Sequence, residues 1–180
     1  MKHPELLSLH SVSDLRISPG TSRCAFLVHT PCEAENNYET HLYVSDFTVS
    51  YPIGMSGITS FAWVDDAALA VGRPSADSTQ FALLSLKDGS EGTVWNIPFD
   101  ARIEGWVLGQ LLISARRPIT EEKAQEDGSW TILDELPIWE DGEGYRAKIR
   151  RQLFLCSYGG QPIRISPEEM DVRIVSAHSN

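Results

Sequence analysis

The chain is short of almost everything that announces a function. Its three cysteines, Cys24, Cys32 and Cys156, are an odd number without metal-like spacing, which argues against a disulfide framework and against a cysteine-held metal. Cys24 and Cys156 fall in apolar strand patterns and are expected to be buried thiols in a reducing, cytoplasmic setting. Basic residues are scarce: 15 Lys and Arg against 25 Asp and Glu give a net charge of −10 and a pI near 4.9. A chain so acidic lacks the basic face needed by a nucleic-acid backbone or an anionic lipid surface, so neither partner is expected. Simple solubility accounts for the charge.

Long apolar runs are also missing, and none approaches the roughly 20 residues of a membrane span. The opening "MKHPELLSLHSVSD" has no sustained apolar core and no small-residue cleavage site, so no leader peptide is read there. Helical periodicity is nowhere sustained over about 12 residues. Its nearest candidate, Glu121 to Asp127, is short and polar.

What remains is a chain of 180 residues with 42% apolar and 22% charged side chains and a mean hydropathy of −0.20. That is enough for one domain with a real core. Short runs rich in Val, Ile, Leu, Phe, Tyr and Trp recur along it: "RCAFLVHT", "HLYVSDF", "SYPIGM", "SFAWV", "ALAVG", "FALLSL", "TVWNIP", "IEGWVL", "QLLISAR", "RQLFLCSY" and "PIRIS". Gly, Pro, Asp and Ser separate them, as they separate strands.

These runs repeat in order. After a variable segment comes a compact apolar strand ("CAFLV", "ALAV", "LLIS"), then a longer one ending in a polar turn ("HLYVSDFTVS", "FALLSLKDGS", "QLFLCSYGGQ"), then a short closing one ("YPIGM", "TVWNI", "PIRIS"). Repeats of about 40–50 residues with four strands each are the pattern of propeller blades, whereas a sandwich predicts no repeated strand order. The expectation is an all-β, partial β-propeller of about three four-stranded antiparallel blades. The whole of 1–180 forms one incomplete domain, with units at about 12–57, 58–98 and 99–169 and a fourth starting over 170–180.

One unit is enlarged by an insertion, "RPITEEKAQEDGSWTILDELPIWEDGEGYRAKIR", from Arg117 to Arg150. A connection this long inside a domain is usually functional or disordered. Its strand-like pieces "WTILDEL" and "GYRAKI" suggest an ordered excursion, with a hairpin turning at "EDGEG".

Candidate chemistry is thin. Ser157, followed by Tyr158-Gly159-Gly160, invites comparison with the nucleophile elbow Gly-x-Ser-x-Gly. Leu155 stands where the first glycine belongs, and Gln161-Pro162 leads into another strand rather than a helix. Gly54-Met55-Ser56-Gly57 fails likewise, with Ile58 in place of the second glycine. Histidines 3, 10, 29, 41 and 178 include no i, i+4 pair on a helix, and no metal is expected. Carboxylates crowd the insertion, and Trp139 beside Glu140 superficially suits a glycosidase acid. A charge run in a loop is nonetheless read first as a solvated face.

Two features carry a family resemblance. Ser18-Pro19-Gly20 precedes the strand beginning Ala25-Phe26, and Gly142-Glu143-Gly144-Tyr145 precedes Arg150-Arg151 and "QLFLCSY". Together with the order of strands, the segment from Val12 to Ser166 resembles the N-terminal propeller of the prolyl oligopeptidase family of serine peptidases, in its acylaminoacyl-peptidase-like branch. Trp63-Val64-Asp65-Asp66 departs from the Trp-Ser-Pro-Asp-Gly run usual in that family.

The resemblance implies a propeller that gates and helps bind peptide substrates for an α/β-hydrolase domain bearing Ser, Asp and His. No catalytic residue and no cofactor is assigned within this chain, and the hydrolase domain would be its partner. It further implies that the insertion borders the substrate chamber, where Trp139, Glu140, Glu143, Tyr145 and Arg146 would touch the peptide. Because three blades cannot close a ring, self-association through open blade edges is expected. The alternative reading is a non-catalytic, propeller-type protein-interaction module.

Overall fold

The structure, a computed structural model, describes residues 9–34, 36–54, 56–119, 138–140, 144–146 and 148–174. Among these residues there is no helix, and every element is a strand. Three four-stranded antiparallel sheets follow one another along the chain. The first holds β1 (Ser11–Ile17), β2 (Cys24–Cys32), β3 (Asn37–Ser45) and β4 (Ser50–Pro52) in that order. The second holds β5 (Ser60–Asp65), β6 (Ala68–Ser75), β7 (Ser78–Ser85) and β8 (Glu91–Ile97). The third is built from β9 (Arg102–Val107), β10 (Gln110–Pro118), β13 (Ile149–Cys156) and β14 (Ile163–Arg164). A separate hairpin of β11 (Ile138–Glu140) and β12 (Gly144–Arg146) lies within the insertion. The expected class, three four-stranded blades with one long insertion, is borne out.

The leading strands β1, β5 and β9 are neighbours in space, with β5 against both others, so the sheets stack around their first strands as propeller blades do. The middle sheet is buried on both faces. Phe61, Leu69, Val71, Ala82 and Leu84 pack toward Ala25, Leu27, Leu42 and Val44 of the first sheet. The alternate residues Ala62, Ala70, Phe81, Trp95 and Ile97 pack toward Ile103, Leu111, Ile113, Phe154 and Cys156 of the third. Side chains along a strand alternate between faces, so a sheet covered on both sides needs apolar residues at consecutive positions. "SFAWV" and "AALAV" supply them. Each fully buried Phe contributes about 1.5–3 kcal/mol of transfer free energy.

Polar contacts fix the angle between sheets. The hydroxyl of Ser60 accepts from the Ile103 amide at 3.1 Å, and the Thr79 hydroxyl accepts from the Ala101 amide at 2.8 Å while donating to the Phe99 carbonyl at 3.1 Å. Between the first two sheets, Trp63 Nε1 donates to the carbonyl of Arg16 at 3.0 Å. The Gly20 amide donates to Asp66 Oδ1 at 2.7 Å, and a Cβ at Gly20 would press on the other carboxylate oxygen. The glycine of the Ser-Pro-Gly turn is therefore there for close approach to Asp66. That acid belongs to the departed run Trp63-Val64-Asp65-Asp66, so the run keeps a structural task.

The outer edge of the third sheet is finished unusually. β14 pairs with β13 over only two residues, after which side chains take over the ladder. The Leu153 amide donates to Ser166 Oγ at 3.0 Å, and the Arg151 amide donates to Asp171 Oδ1 at 2.6 Å. The Val172 amide then returns a bond to the Arg151 carbonyl at 3.0 Å.

Two expectations need correcting or bounding. The segment before "RCAFLVHT" was expected to be variable, yet Ser11–Ile17 is a full strand. Its signal is weak because Val12, Leu15 and Ile17 stay exposed at 62%, 65% and 58%, and because a register shift at Asp14, with φ of 55°, breaks the alternation. Residues 170–174, where a fourth unit is expected to begin, form no strand, and the piece "WTILDEL" lies outside the described residues.

Candidate functional site

The insertion defines where to look. It leaves the third sheet at the end of β10 and re-enters at the start of β13, and the Ile119 amide closes the neck by donating to the Lys148 carbonyl at 2.8 Å. The inner strand β9 starts at this same end, since Arg102 pairs with Ser114 of β10. A cavity of about 720 Å³ lies there. Its lining includes Arg102 and Glu104 of β9, Ser114 and Arg116 of β10, Arg151 of β13, and Arg173 from the tail. The size suits a small ligand or a peptide segment.

Register explains how these side chains meet. In an antiparallel ladder directly opposed residues share a face, so Arg102 and Ser114 lie on the face that also carries Arg116 and Arg151. That is the face turned away from the second sheet, because Ile103, Ile113 and Phe154 occupy the other. Ser114 Oγ donates to Glu104 Oε1 at 2.6 Å, and Arg102 is held by Asp14 of the first sheet at 2.6 Å.

The sequence-derived candidates on the insertion fare differently from one another. β11 and β12 form the hairpin expected at "EDGEG", with Trp139 opposite Tyr145, Glu140 opposite Gly144 and Ile138 opposite Arg146. Trp139 and Tyr145 are thus brought into one cross-strand pair. Glu143 lies outside the described residues.

Ser157 is a turn residue. Its carbonyl accepts from the Gly160 amide at 2.8 Å, Gly159 takes a φ of 66°, and β14 follows. Its hydroxyl accepts from Gln110 Nε2 at 2.7 Å, which is no general base. A serine–histidine contact does occur in the first sheet, Ser13 Oγ to His29 Nε2 at 2.8 Å. The other ring nitrogen meets Thr40 Oγ1 at 3.0 Å rather than a carboxylate, so the orienting acid of a triad is missing. Among the described residues, no three His, Cys, Asp or Glu side chains gather as a metal site. Cys24 and Cys156 are buried free thiols, and burial pushes the Cys156 thiol up.

The arginine cavity was missed at the level of sequence. Its signal was present as two arginine dipeptides, Arg116-Arg117 and Arg150-Arg151, bracketing the insertion. Only the register shows that they oppose each other.

With sheets, order and insertion in place, the protein is a partial β-propeller, and solved structures of that class match it. No protein-family profile matches the chain, and no curated protein matches it by sequence. An acylaminoacyl peptidase in complex with Z-Gly-Gly-Phe-chloromethyl ketone superposes with a TM-score of 0.66 at 17% identity, covering 86% of this chain and 24% of that one. The orthorhombic form of the Pyrococcus horikoshii acylaminoacyl peptidase gives 0.67 at 17%, covering 88% and 25%. The β-propeller domain of the Trilobed protease from Pyrococcus furiosus, described as an open velcro topology, gives 0.51 at 13%, covering 86% and 43%. The chain therefore spans about a quarter of the length of those peptidases. It has the fold of a propeller segment like theirs, as the resemblance in its sequence implied.

Proposed function

We propose that the chain is the N-terminal propeller segment of a prolyl-oligopeptidase-family serine peptidase, of the acylaminoacyl-peptidase-like branch. In this reading 1–180 is an incomplete propeller with blade units at about 12–57, 58–98 and 99–169 and a fourth starting at 170. It gates the approach of peptides to an α/β-hydrolase domain that supplies the Ser-His-Asp triad. The observation that carries the reading is the superposition over 86% of the chain on an acylaminoacyl peptidase, reached independently of the insertion motif read from the sequence. Trp139, Glu140, Glu143, Tyr145 and Arg146 are the insertion residues assigned to contact the peptide. Three free cysteines support a cytoplasmic setting.

The test is to extend the reading frame past codon 180 and assay the longer product on N-acylated peptides. Hydrolysis by the extended product, with none by residues 1–180, is the expected result. A frame without a hydrolase domain overturns the reading in favour of a non-catalytic interaction module. That second reading draws on one observation: among the described residues the serine–histidine contact has a threonine where the acid should be.

A further inference from the structure

β14 is an edge strand with an interruption. Leu155 pairs with Ile163 and Phe154 with Arg164, and the Ile165 amide donates to the Leu153 carbonyl at 2.9 Å. The same register would bring residue 167 to Arg151. Pro167 stands there, and a proline has no N–H to give to the Arg151 carbonyl. The ladder is resumed instead by Val172, whose amide makes that bond at 3.0 Å. The five extra residues (172 in place of 167) form an extended bulge. Bulges occur at sheet edges where a neighbouring group has to be aimed.

This bulge directs its polar groups at one short stretch of β13. Arg150 Nε donates to the Glu169 carbonyl at 3.2 Å and the Arg151 amide to Asp171 Oδ1 at 2.6 Å. Gln152 Nε2 donates to the Glu168 carbonyl at 3.4 Å and the Leu153 amide to Ser166 Oγ at 3.0 Å. Four consecutive residues are thus bonded to a segment that lies beyond the next turn. Gln152 is 2% exposed, so its amide is a buried polar group that the bulge satisfies. The bond to the Asp171 carboxylate is charge-assisted and is the strongest kind in the set.

On those four residues the insertion returns to the sheet. Just before them Pro118 pairs with Ile149, and the Ile119 amide closes the neck on the Lys148 carbonyl at 2.8 Å. Lys148 has a φ of 55°, a left-handed backbone that residues with a side chain avoid. Such a conformation persists only where its surroundings hold it. The bulge grips the strand just beyond this strained residue.

We propose that residues 165–172 are a latch that sets the neck of the insertion, with Asp171 as its positioning residue. On the peptidase reading, on which this consequence rests, peptide contacts made from the insertion depend on Asp171, although Asp171 touches no peptide.

The experiment is amide hydrogen exchange of the whole chain, read by NMR at three amides. Arg151 reports the latch, Ile119 the neck, and Thr59, which donates to the Gly72 carbonyl at 3.0 Å, the middle sheet. Asp171→Ala is expected to speed exchange at Arg151 and at Ile119 by about tenfold, the effect of losing one bond to a charged group, and to leave Thr59 unchanged. Asp171→Asn keeps a carbonyl acceptor and restores most of the protection. Glu169→Gln retains the backbone carbonyl that Arg150 uses and changes nothing. Faster exchange at Arg151 with Ile119 unaltered overturns the proposal and reduces the bulge to an edge cap. If Thr59 quickens as well, the variant has loosened the whole chain, and Ser166→Ala, which removes only the bond to Leu153, decides. Leu153 and Ile119 quickening together then support the latch, and Leu153 alone overturns it. In a longer product that hydrolyses peptides, Asp171→Ala raises KM and leaves kcat unaltered; an unchanged KM there overturns the positioning role. Coupled exchange in a chain whose reading frame yields no hydrolase domain removes the peptidase reading and leaves the latch. Hydrolysis by the extended product with uncoupled exchange removes the latch alone.

Discussion

The guanidinium of Arg16 donates to the carbonyl oxygen of Glu104 at 2.8 Å, across 88 residues of chain, and to that of Ile103 at 3.4 Å. On the way it passes over the ring of Phe61, 5.5 Å from the centroid. One side chain from β1 thus touches the leading strands of both other sheets. Burial lowers its pKa, opposed by Asp14 and Glu104, and an arginine remains charged there. Arg16→Met strands the carbonyl acceptors and is expected to cost about 2–3 kcal/mol, read as a fall in the urea midpoint. Arg16→Lys should recover little, since a single ammonium nitrogen does not reproduce the two separated guanidinium nitrogens that reach the Glu104 and Ile103 carbonyls. A neutral outcome for Arg16→Met would remove this side chain from the set that holds the sheets together.

Within the middle sheet, Arg73 and Glu91 form a two-pronged ion pair with side chains only 10% and 16% exposed. Glu91→Ala leaves a buried cation uncompensated and is expected to cost about 3–5 kcal/mol. Replacing both residues with Met and Leu should cost far less than that single change, because it removes the uncompensated charge. If the double variant is the less stable by chemical denaturation, the pair is a net source of stability.

Acid sensitivity is localised in turns. Asp46 accepts from the Val49 and Thr48 amides at 2.8 and 2.9 Å, and these bonds hold its carboxyl below the ordinary value. Asp88 is held low by Ser90 in the same way. A carboxyl depressed in the folded state contributes stability above its unfolded pKa and loses it as the pH falls through the folded one. The loss is thus expected below about pH 4. Asp46→Asn and Asp88→Asn, followed by denaturation at a series of pH values, should each flatten the slope there by lowering stability at neutral pH toward its acid value. An unchanged acid slope would place the effect elsewhere.

Self-association is expected through the two uncovered faces. Val12, Phe26, Val28 and Tyr43 share the outer face of the first sheet, with Phe26 and Tyr43 stacked at 5.9 Å. Leu153 and Leu155 share that of the third, beside the buried Leu112. Sedimentation equilibrium should return a mass above 20.0 kDa that rises with concentration and falls on Val28→Glu. A single 20.0 kDa species at all concentrations would mean that these faces are inert as they stand.

How much of this could be read from the residues varies by sheet. The middle sheet was plain, since burial on both faces writes Phe61-Ala62-Trp63-Val64 as an unbroken apolar run. The strand Ser11–Ile17 was hidden, because it keeps its apolar residues exposed and breaks step at Asp14. The hairpin around Glu140 and Gly144 followed from turn chemistry. The arginine cavity did not, because two dipeptides 33 residues apart by number, Arg117 and Arg150, say nothing of each other until a ladder aligns them. Local composition marks strands, whereas facing partners across a long excursion are a property of register.

The side-chain finish on β13 bears on how this protein can go wrong. Ser166 and Asp171 occupy amides that a strand from another molecule would need, and at the far side β4 is three residues long and ends in Pro52, which offers no donor. These two edges are thereby hindered in templated growth of the cross-β kind, whereas β8, seven residues long, remains the edge of the second sheet. Association at those two edges should therefore proceed by side-chain stacking and remain reversible on dilution, which leaves β8 as the strand on which a dye-binding fibril would have to be templated.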